Sequence, residues 1–587
     1  MNMTKYILPC IILTFNIQFG GFNYAQANED AGKYLLNSHR EDHFGVPFLY
    51  LQGTDYEVGY QYGYLLKDEL NSLYKEFRIF KDGLLDREIK YLPCYQRIFA
   101  NIFSGMVFSH KINSYADQLP SNIQEQIKGA SESSGLPVSF FKEIQVLVDL
   151  YSNRCEAIVI KKGVHTYHCH NLDQPWPVNM ISKYPAVVNY DINGTQKYTD
   201  FGNVGCFMIV TAFNESGISL SENANNNPFG FDKSNPSLYR EKSKIITESH
   251  NLKEVDSLVN SLKLPLGLIF TISSSREKQA VVYDLLGSTK AATRVNNYQF
   301  VANRTVSKDL GKKSETIYSG FFHDTCREAK FAELIDTTKP NIVDEAISIL
   351  SNNDFYHYKD FIPVYIESLH NYETDQSVIF DLADSTIYFT YYTHYAAWNR
   401  WLKYNYITHQ VSLFKEPDPR LNDPLLIRLN EIYKDYETCD WRDSSSVGSL
   451  MNLIINSHIE NYFTLDFLSW KYRDYYNLAA EALVYSQKLI DKYPDIATGY
   501  YNKGRALEME NKYQEAIDAY LLAVDSKLNC DYFLAESYEH IAFLYTNLNK
   551  KEVAAGYAIK ALTIDNQYWI PDYMKKRIKD LEEISKQ

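Results

Sequence analysis

"CEAIVIKKGVHTYHCHNLDQPW" runs from Cys155 to Trp176. Two runs rich in β-branched, aromatic and apolar residues, EAIVI and VHTYHCH, flank Lys162-Gly163. This pattern predicts a β-hairpin closed by a two-residue turn. With that turn Cys155 faces His170, and Asn171, Leu172 and Asp173 emerge just beyond. The hairpin thereby returns a carboxylate to the head of a strand that begins with a thiol. Three readings compete. His165, His168, Cys169 and His170 are residue types that bind zinc. Strand alternation, however, turns Cys169 away from His168 and His170, and neither a metal nor another cofactor is expected. A cysteine used as a small buried hydrophobe is the ordinary alternative. A thiol at a strand start with a carboxylate held nearby is the arrangement of a nucleophile.

Outward from the hairpin the chain changes texture. Before it, GTDYEVGYQYGYLLKDELNSLYKEF follows a turn-prone Gly-Thr-Asp with Val58, Tyr62, Leu65, Leu66, Leu70 and Leu73 at helical spacing. LPSNIQEQIKGASESSG predicts a second helix. After it, to about residue 412, short strands alternate with turns: VGCFMIVTAFNESGISLSEN, LGLIFTISSS, QAVVYDLLG, YQFVANR and QSVIFDLADSTIYFTYYT. Many are apolar on both faces, which predicts sheets covered on two sides. Helical patterns in SLYREKSKIITESH, LKEVDSLVNSL and REAKFAELID would supply the covering layers. Residues 413–424, including FKEPDPRLNDP, read as a linker.

Residues 425–587 are almost wholly helical in pattern. Gly504, Leu507, Tyr513, Ala516, Tyr520 and Ala523 resemble a tetratricopeptide helix pair, and Ala482 stands one period of 34 residues before Ala516. Such an array either binds a protein partner or braces the domain beside it.

The chain has 587 residues, 45% of them hydrophobic and 22% charged, which is globular composition with material for several domains. The net charge of −14 excludes nucleic acid as an expected partner, because phosphate binding needs clustered Lys and Arg. Residues 1–27 read as an export signal: Lys5, the apolar YILPCIILTFNIQF, then Ala25-Gln26-Ala27. A secreted or periplasmic protein is expected, with no membrane span once the signal is removed. Without Cys10 seven cysteines remain, an odd number at scattered spacings, which is no disulfide scaffold.

The segment from Cys155 to Trp176 resembles the nucleophile segment of N-terminal-nucleophile hydrolases of the penicillin acyltransferase and choloylglycine hydrolase type. In those families a Cys, a strand, a Gly turn and a second strand precede an Arg-Asn-hydrophobic-Asp sequence. Cys155 and Asp173 match the Cys and Asp, 18 residues apart, and His170 stands where the Arg is usual. Further matches follow in order. FNESGISLSEN carries Asn223, with Asn225 as the alternative. FVANR carries Asn303, and DTCREAKFAELI carries Arg327. GTDYEVGYQYG resembles the early pro-segment, and DQSVIFDLADSTIYF the closing hairpin.

The resemblance implies a four-layer α-β-β-α sandwich in an α+β chain. Residues 28–154 would be the pro-segment, 155–412 the catalytic domain and 425–587 the helical repeat domain. It implies a self-cleaving cysteine enzyme, cut between Arg154 and Cys155, whose new α-amine serves as base. The thiolate would attack a linear amide of an N-acylated small molecule. Asn223 and Asn303 would hold the oxyanion, Asp173 would orient the amine and Arg327 would favour the thiolate. His170 and Trp176 would face substrate. Hydrolysis and acyl transfer both fit. The competing expectation is a non-catalytic binding protein that acts through its repeats.

Overall fold

The computed structural model describes residues 33–90, 119–150, 154–174, 178–225, 239–262, 267–286, 289–307, 310, 320–339, 341–354, 357–358, 368–565 and 575–586. The signal segment 1–27, Cys94 and Trp176 lie outside these residues.

Strands β3 (Arg154–Lys162) and β4 (His165–Asp173) form the expected hairpin. Its turn is Gly163-Val164 and not Lys162-Gly163. Gly163 takes a φ of 61°, which costs glycine no Cβ clash. A two-residue turn with glycine first also suits the twist of the flanking strands. Lys162 therefore pairs with His165, Ala157 with His170, Cys155 with Leu172 and Arg154 with Asp173. Cys155 does not face His170 directly. The shift is two residues, so each side chain keeps its face of the sheet.

This hairpin supplies the second and third strands of a seven-stranded antiparallel sheet in the order β12 (Tyr298–Val301), β3, β4, β13 (Thr374–Asp381), β14 (Thr386–Tyr391), β15 (Trp401–Asn405), β16 (Gln410–Lys415). A nine-stranded sheet runs β1 (His39–His43), β2 (Val46–Gly53), β5 (Pro185–Ile192), β6 (Tyr198–Asn203), β7 (Thr211–Asn214), β8 (Ile218–Ala224), β9 (Gly267–Ser274), β10 (Gln279–Leu286), β11 (Thr289–Arg294). Within these two sheets, among the described residues, only β2 and β5 pair in parallel. VGCFMIV, predicted as part of a strand, is a turn and an irregular segment before β7.

The sheets face one another. Phe48, Val187, Phe201 and Phe213 of the larger sheet meet Val378, Phe380, Ile387 and Phe389 of the smaller. Ala157 and Val159 meet Ile269, Ala280 and Val282 in the same layer. The outer face of the larger sheet is covered by helices α1 (Asp55–Leu65), α2 (Lys67–Lys90), α3 (Ser121–Ser134), α4 (Val138–Leu150), α5 (Tyr239–Glu248) and α6 (Leu252–Ser261). The smaller sheet is covered by α7 (Gly320–Leu334) and α8 (Ile342–Leu350). There Ile158, Ile160 and Cys169 pack on Phe331, Ile342 and Ile347. The layer order is α-β-β-α. Local chemistry agrees with it. Thr54 and Glu57 form a reciprocal capping box that starts α1. A Cβ on Gly59 would lie 2.1 Å from the Gln126 carbonyl oxygen, so α1 and α3 touch through their backbones.

A helical domain follows: α9 (Pro424–Thr438), α10 (Ser444–Ser457), α11 (Tyr462–Asp474), α12 (Ala479–Lys492), α13 (Ala497–Met509), α14 (Tyr513–Val524), α15 (Asp531–Asn547), α16 (Lys551–Asp565) and α17 (Lys575–Ser585). The repeat chemistry is visible in α13 and α14, where a Cβ on Gly504 would meet the Tyr520 ring at 2.7 Å. Ala482 and Ala516 are fully buried. The domain is fused to the sandwich through one apolar cluster that joins Tyr372, Tyr395 and Trp398 to Leu429, Ile432, Tyr433 and Phe463. No helix among the described residues is long and apolar enough to cross a membrane.

Candidate active site

Alternation along β3 sends Ala157 and Val159 toward the larger sheet, and Ile158 and Ile160 toward α7 and α8. Cys155 belongs to the first set and Glu156 to the second. Both are fully buried. The Cys155 backbone N–H donates to Asn303 Oδ1 at 3.3 Å. Asn303 lies just beyond β12, the neighbour of β3 in the sheet, so sheet pairing itself delivers the amide. Arg327, on α7, donates through one terminal nitrogen to the same Asn303 oxygen at 2.8 Å and to Asp324 at 2.6 Å. Its other terminal nitrogen donates to the Cys155 carbonyl at 3.4 Å. That nitrogen also lies 3.7 Å from Glu156 and 3.8 Å from Asp173.

One guanidinium thus serves three buried carboxylates. Burial opposes the Arg327 charge, and Asp324, Glu156 and Asp173 more than offset it, so its pKa is raised. The carboxyls respond in the opposite sense. Burial pushes Asp173 up to about 7 against the pull of Arg327. Burial also holds Glu156 well above the usual range, with Asp173 adding repulsion. The Asp173 carboxylate accepts from Thr374 Oγ1 at 2.7 Å and from Asn371 Nδ2 at 3.2 Å. Glu156 accepts from Asn171 Nδ2 at 2.8 Å, and its second oxygen has no hydrogen-bond partner. The Cys155 thiol is raised chiefly by burial and next by the Asp173 charge; Arg327 lowers it by less. In this arrangement the thiol is therefore neutral.

The side-chain amides expected to face an oxyanion are engaged within the fold. Asn223 Nδ2 donates to the Val301 and Ala302 carbonyls at 3.3 and 3.2 Å, which ties β8 to the end of β12. Asn303 Nδ2 donates to the Ala224 carbonyl at 2.9 Å. Asn225 donates to Thr305 at 3.0 Å. His170 lies between the sheets with Nδ1 2.9 Å from Thr211 Oγ1, and burial holds its pKa down at about 3. His168 contacts Ser219 and Ser221, and Cys169 joins the α7–α8 side. His165 pairs with Asp381 at 3.0 Å at the far end of the hairpin. The four zinc-type residues do not converge.

Glu156, Asn171, Asp324, Asn371 and Thr374 complete the cluster without having been singled out in the sequence. Asp324 stands three residues before Arg327, a spacing that a helix brings together, but the predicted helix began only at Arg327. Glu156 stood out as a charge in an apolar run. The Asn371–Thr374 turn carried no local sign of its distant partner. A cleft of about 650 Å³ opens between α2, the turn and α9, lined among others by Phe80, Met180, Lys183, Tyr372, His394 and Lys434. None of Cys155, Asp173, Asn303 and Arg327 lines it.

No protein-family model matches the sequence, and no curated protein does. Several solved structures are similar in part. The Caenorhabditis elegans N-acylethanolamine-hydrolyzing acid amidase ortholog matches at 14% identity over 39% of this chain and 93% of its own, with a TM-score of 0.30. Penicillin V acylase from Agrobacterium tumefaciens matches at 11% over 43% of this chain and 86% of its own, also at 0.30. The TPR2B-domain:pHsp70-complex of yeast Sti1 matches at 17% over 21% of this chain and 93% of its own, at 0.18.

Proposed function

We propose that the chain is an exported, self-cleaving cysteine amidohydrolase or acyltransferase that acts on a linear amide of an N-acylated small molecule. One observation carries the reading. Glu156, Asp173 and Asp324 surround the single guanidinium of Arg327 beside the backbone nitrogen of Cys155. Burial raises the Asp173 and Glu156 carboxyls there, so each holds its proton to a higher pH than usual, with the Arg327 charge opposing this. Cleavage before Cys155 would add a second cation, an α-ammonium against Asn303 Oδ1.

The self-cleavage proceeds by attack of the Cys155 sulfur on the Arg154 carbonyl carbon. The peptide C–N bond breaks as the departing nitrogen takes a proton, and a thioester forms. Water hydrolyses it, leaving a carboxylate on Arg154 and a free amine and thiol on Cys155. An α-amine titrates near 7.7–8.0 and a thiol near 8.5, so the amine takes the thiol proton at modest cost near neutral pH. The thiolate then attacks the substrate carbonyl. Arg327 and the new ammonium offset the burial that holds the thiol neutral before the cut. Asp173 orients the amine, and Asn223 and Asn303 donate from Nδ2 to the oxyanion that develops in each attack, Asn303 keeping its Oδ1 on the Cys155 nitrogen. Water or an amine resolves the thioester. His170 stands on the substrate side, and the helical array receives a protein partner.

Turnover of a panel of N-acyl amines and N-acyl amino acids tests the reading. Hydrolysis or transfer that Cys155→Ala abolishes supports it, and trapping of an acyl-thioester on Cys155 supports it further. One observation favours a second reading, a non-catalytic protein acting through its repeats. The Asn223 amide nitrogen donates to two backbone carbonyls and that of Asn303 to another. Absence of any Cys155-dependent turnover would favour that reading.

A further inference from the structure

The helical domain reaches the site through a short, fully buried path. Tyr433 on α9 donates its phenol hydrogen to Glu373 Oε1 at 2.9 Å. Glu373 lies in the turn that leads into β13, and its backbone is bonded on both sides. Its N–H donates to Asn371 Oδ1 at 2.8 Å, and its carbonyl accepts from the Gln174 N–H at 2.8 Å. Gln174 follows Asp173 directly. With Oδ1 engaged, the Asn371 amide presents its Nδ2 to Asp173 at 3.2 Å. Thr374 supplies the other Asp173 oxygen, and its hydroxyl also accepts from the Asn371 N–H at 3.1 Å. Tyr433 and Glu373 are each 4% exposed. The Tyr372 ring packs on the Tyr433 ring at 4.6 Å.

We propose that Tyr433 is a positioning residue for the active site: through Glu373 the first helix of the C-terminal domain sets the turn that holds both oxygens of Asp173. The array is then part of the catalytic apparatus and not an appendage. The inference rests on the reading of Asp173 as the residue that orients the Cys155 amine. It requires more of the chain than that reading does, because a catalytic sandwich could work without its repeats. Electrostatics gives it a separate readout. Asp173 is faced by Arg327 from α7, the Cys155 thiol and Glu156 from β3, Asp375 from β13 and Glu373 from the turn. After burial, the Glu373 charge also helps raise its carboxyl. Replacing Glu373 with its amide keeps an acceptor for Tyr433 and removes that charge.

The test uses the full chain and three proteins, wild type, Tyr433→Phe and Glu373→Gln. Each is assayed for self-cleavage rate, for kcat and KM on an N-acyl substrate across pH, and for thermal midpoint, with folded protein counted by thiol titration. Tyr433→Phe is expected to lower kcat about tenfold per folded molecule, the loss of one hydrogen bond to a charged group, with KM unchanged. Glu373→Gln, which keeps an acceptor for Tyr433, is expected to lose less of kcat than Tyr433→Phe and to move the acid limb of kcat/KM to lower pH, because Asp173 then ionises more easily. A Tyr433→Phe protein with wild-type kcat and pH profile would overturn the coupling alone. Losses in both variants that merely track the folded fraction would overturn it as well. A wild type with no Cys155-dependent turnover would sink the underlying reading, and the coupling with it.

Discussion

Asn303 Oδ1 lies 3.3 Å from the backbone nitrogen of Cys155 and 2.8 Å from Arg327, so one amide oxygen bridges that nitrogen and the only guanidinium bonded to this cluster among the described residues. That oxygen accepts an N–H from the uncut peptide and would accept one from the amine after the cut. The same contact serves both states, which makes Asn303 a stringent position.

Asn303→Ala removes the acceptor from a buried N–H and one expected oxyanion donor. Appearance of the new N-terminus at Cys155 is expected to slow by about 10²-fold or more. Timed mass spectrometry of freshly folded protein measures it. Cleavage at the wild-type rate would take Asn303 out of the mechanism.

Arg327 is the cation on which three buried carboxylates depend. Arg327→Leu leaves them uncompensated, and a loss of about 3–5 kcal/mol of stability is expected. Arg327→Lys should recover little, since one ammonium cannot reach Asn303, Asp324 and the Cys155 carbonyl as the planar fork does. Denaturant midpoints of both variants decide this.

The pH dependence of stability has a definite shape. Asp173 and Asp200 are raised by burial to about 7 and about 8. Below their unfolded values near 4 they cost nothing; as pH rises toward 8 the unfolded chain sheds protons that the folded one keeps, and stability falls. His168, His170 and His370 are lowered by burial to about 3. They act in reverse: as pH drops from 6.5 to 3 the unfolded chain gains protons that the folded one refuses. The two sets offset each other between about 4 and 6.5. Thermal midpoints of Cys155→Ala are therefore expected to be highest in that window and to fall on either side. A maximum at pH 8 would contradict the buried-carboxyl account.

Glu156 contributes to the alkaline fall, because its carboxyl is raised well above the ordinary range and one oxygen has no hydrogen-bond partner. Glu156→Gln in the Cys155→Ala background should flatten the decline in thermal midpoint between pH 6.5 and 8. An unchanged slope would mean that Glu156 is ionised in the folded state.

Much of the hairpin was legible in residues 155–176 because strand alternation and a glycine are local signals. The turn was misplaced by one residue, since Lys162 and Gly163 both suit a turn and only pairing decides which enters the strand. Asn303 and Arg327 were singled out through the family resemblance of FVANR and DTCREAKFAELI, and the structure sets both against Cys155. What could not be read was long-range pairing. Asn371 and Thr374 meet Asp173 from about 200 residues away, and nothing in HNYETDQ names that partner. Asn223 shows the other limit. Its position was legible, but its amide ties two sheets together in the uncut chain, and a sequence does not say which way an amide points.

The most direct measurement is the intact mass and N-terminal sequence of purified wild type beside Cys155→Ala. The account predicts two chains from the wild type, the second beginning at Cys155, and a single unbroken chain from the variant. A folded wild type that turns over an N-acyl amide while its Arg154–Cys155 bond remains whole would contradict it.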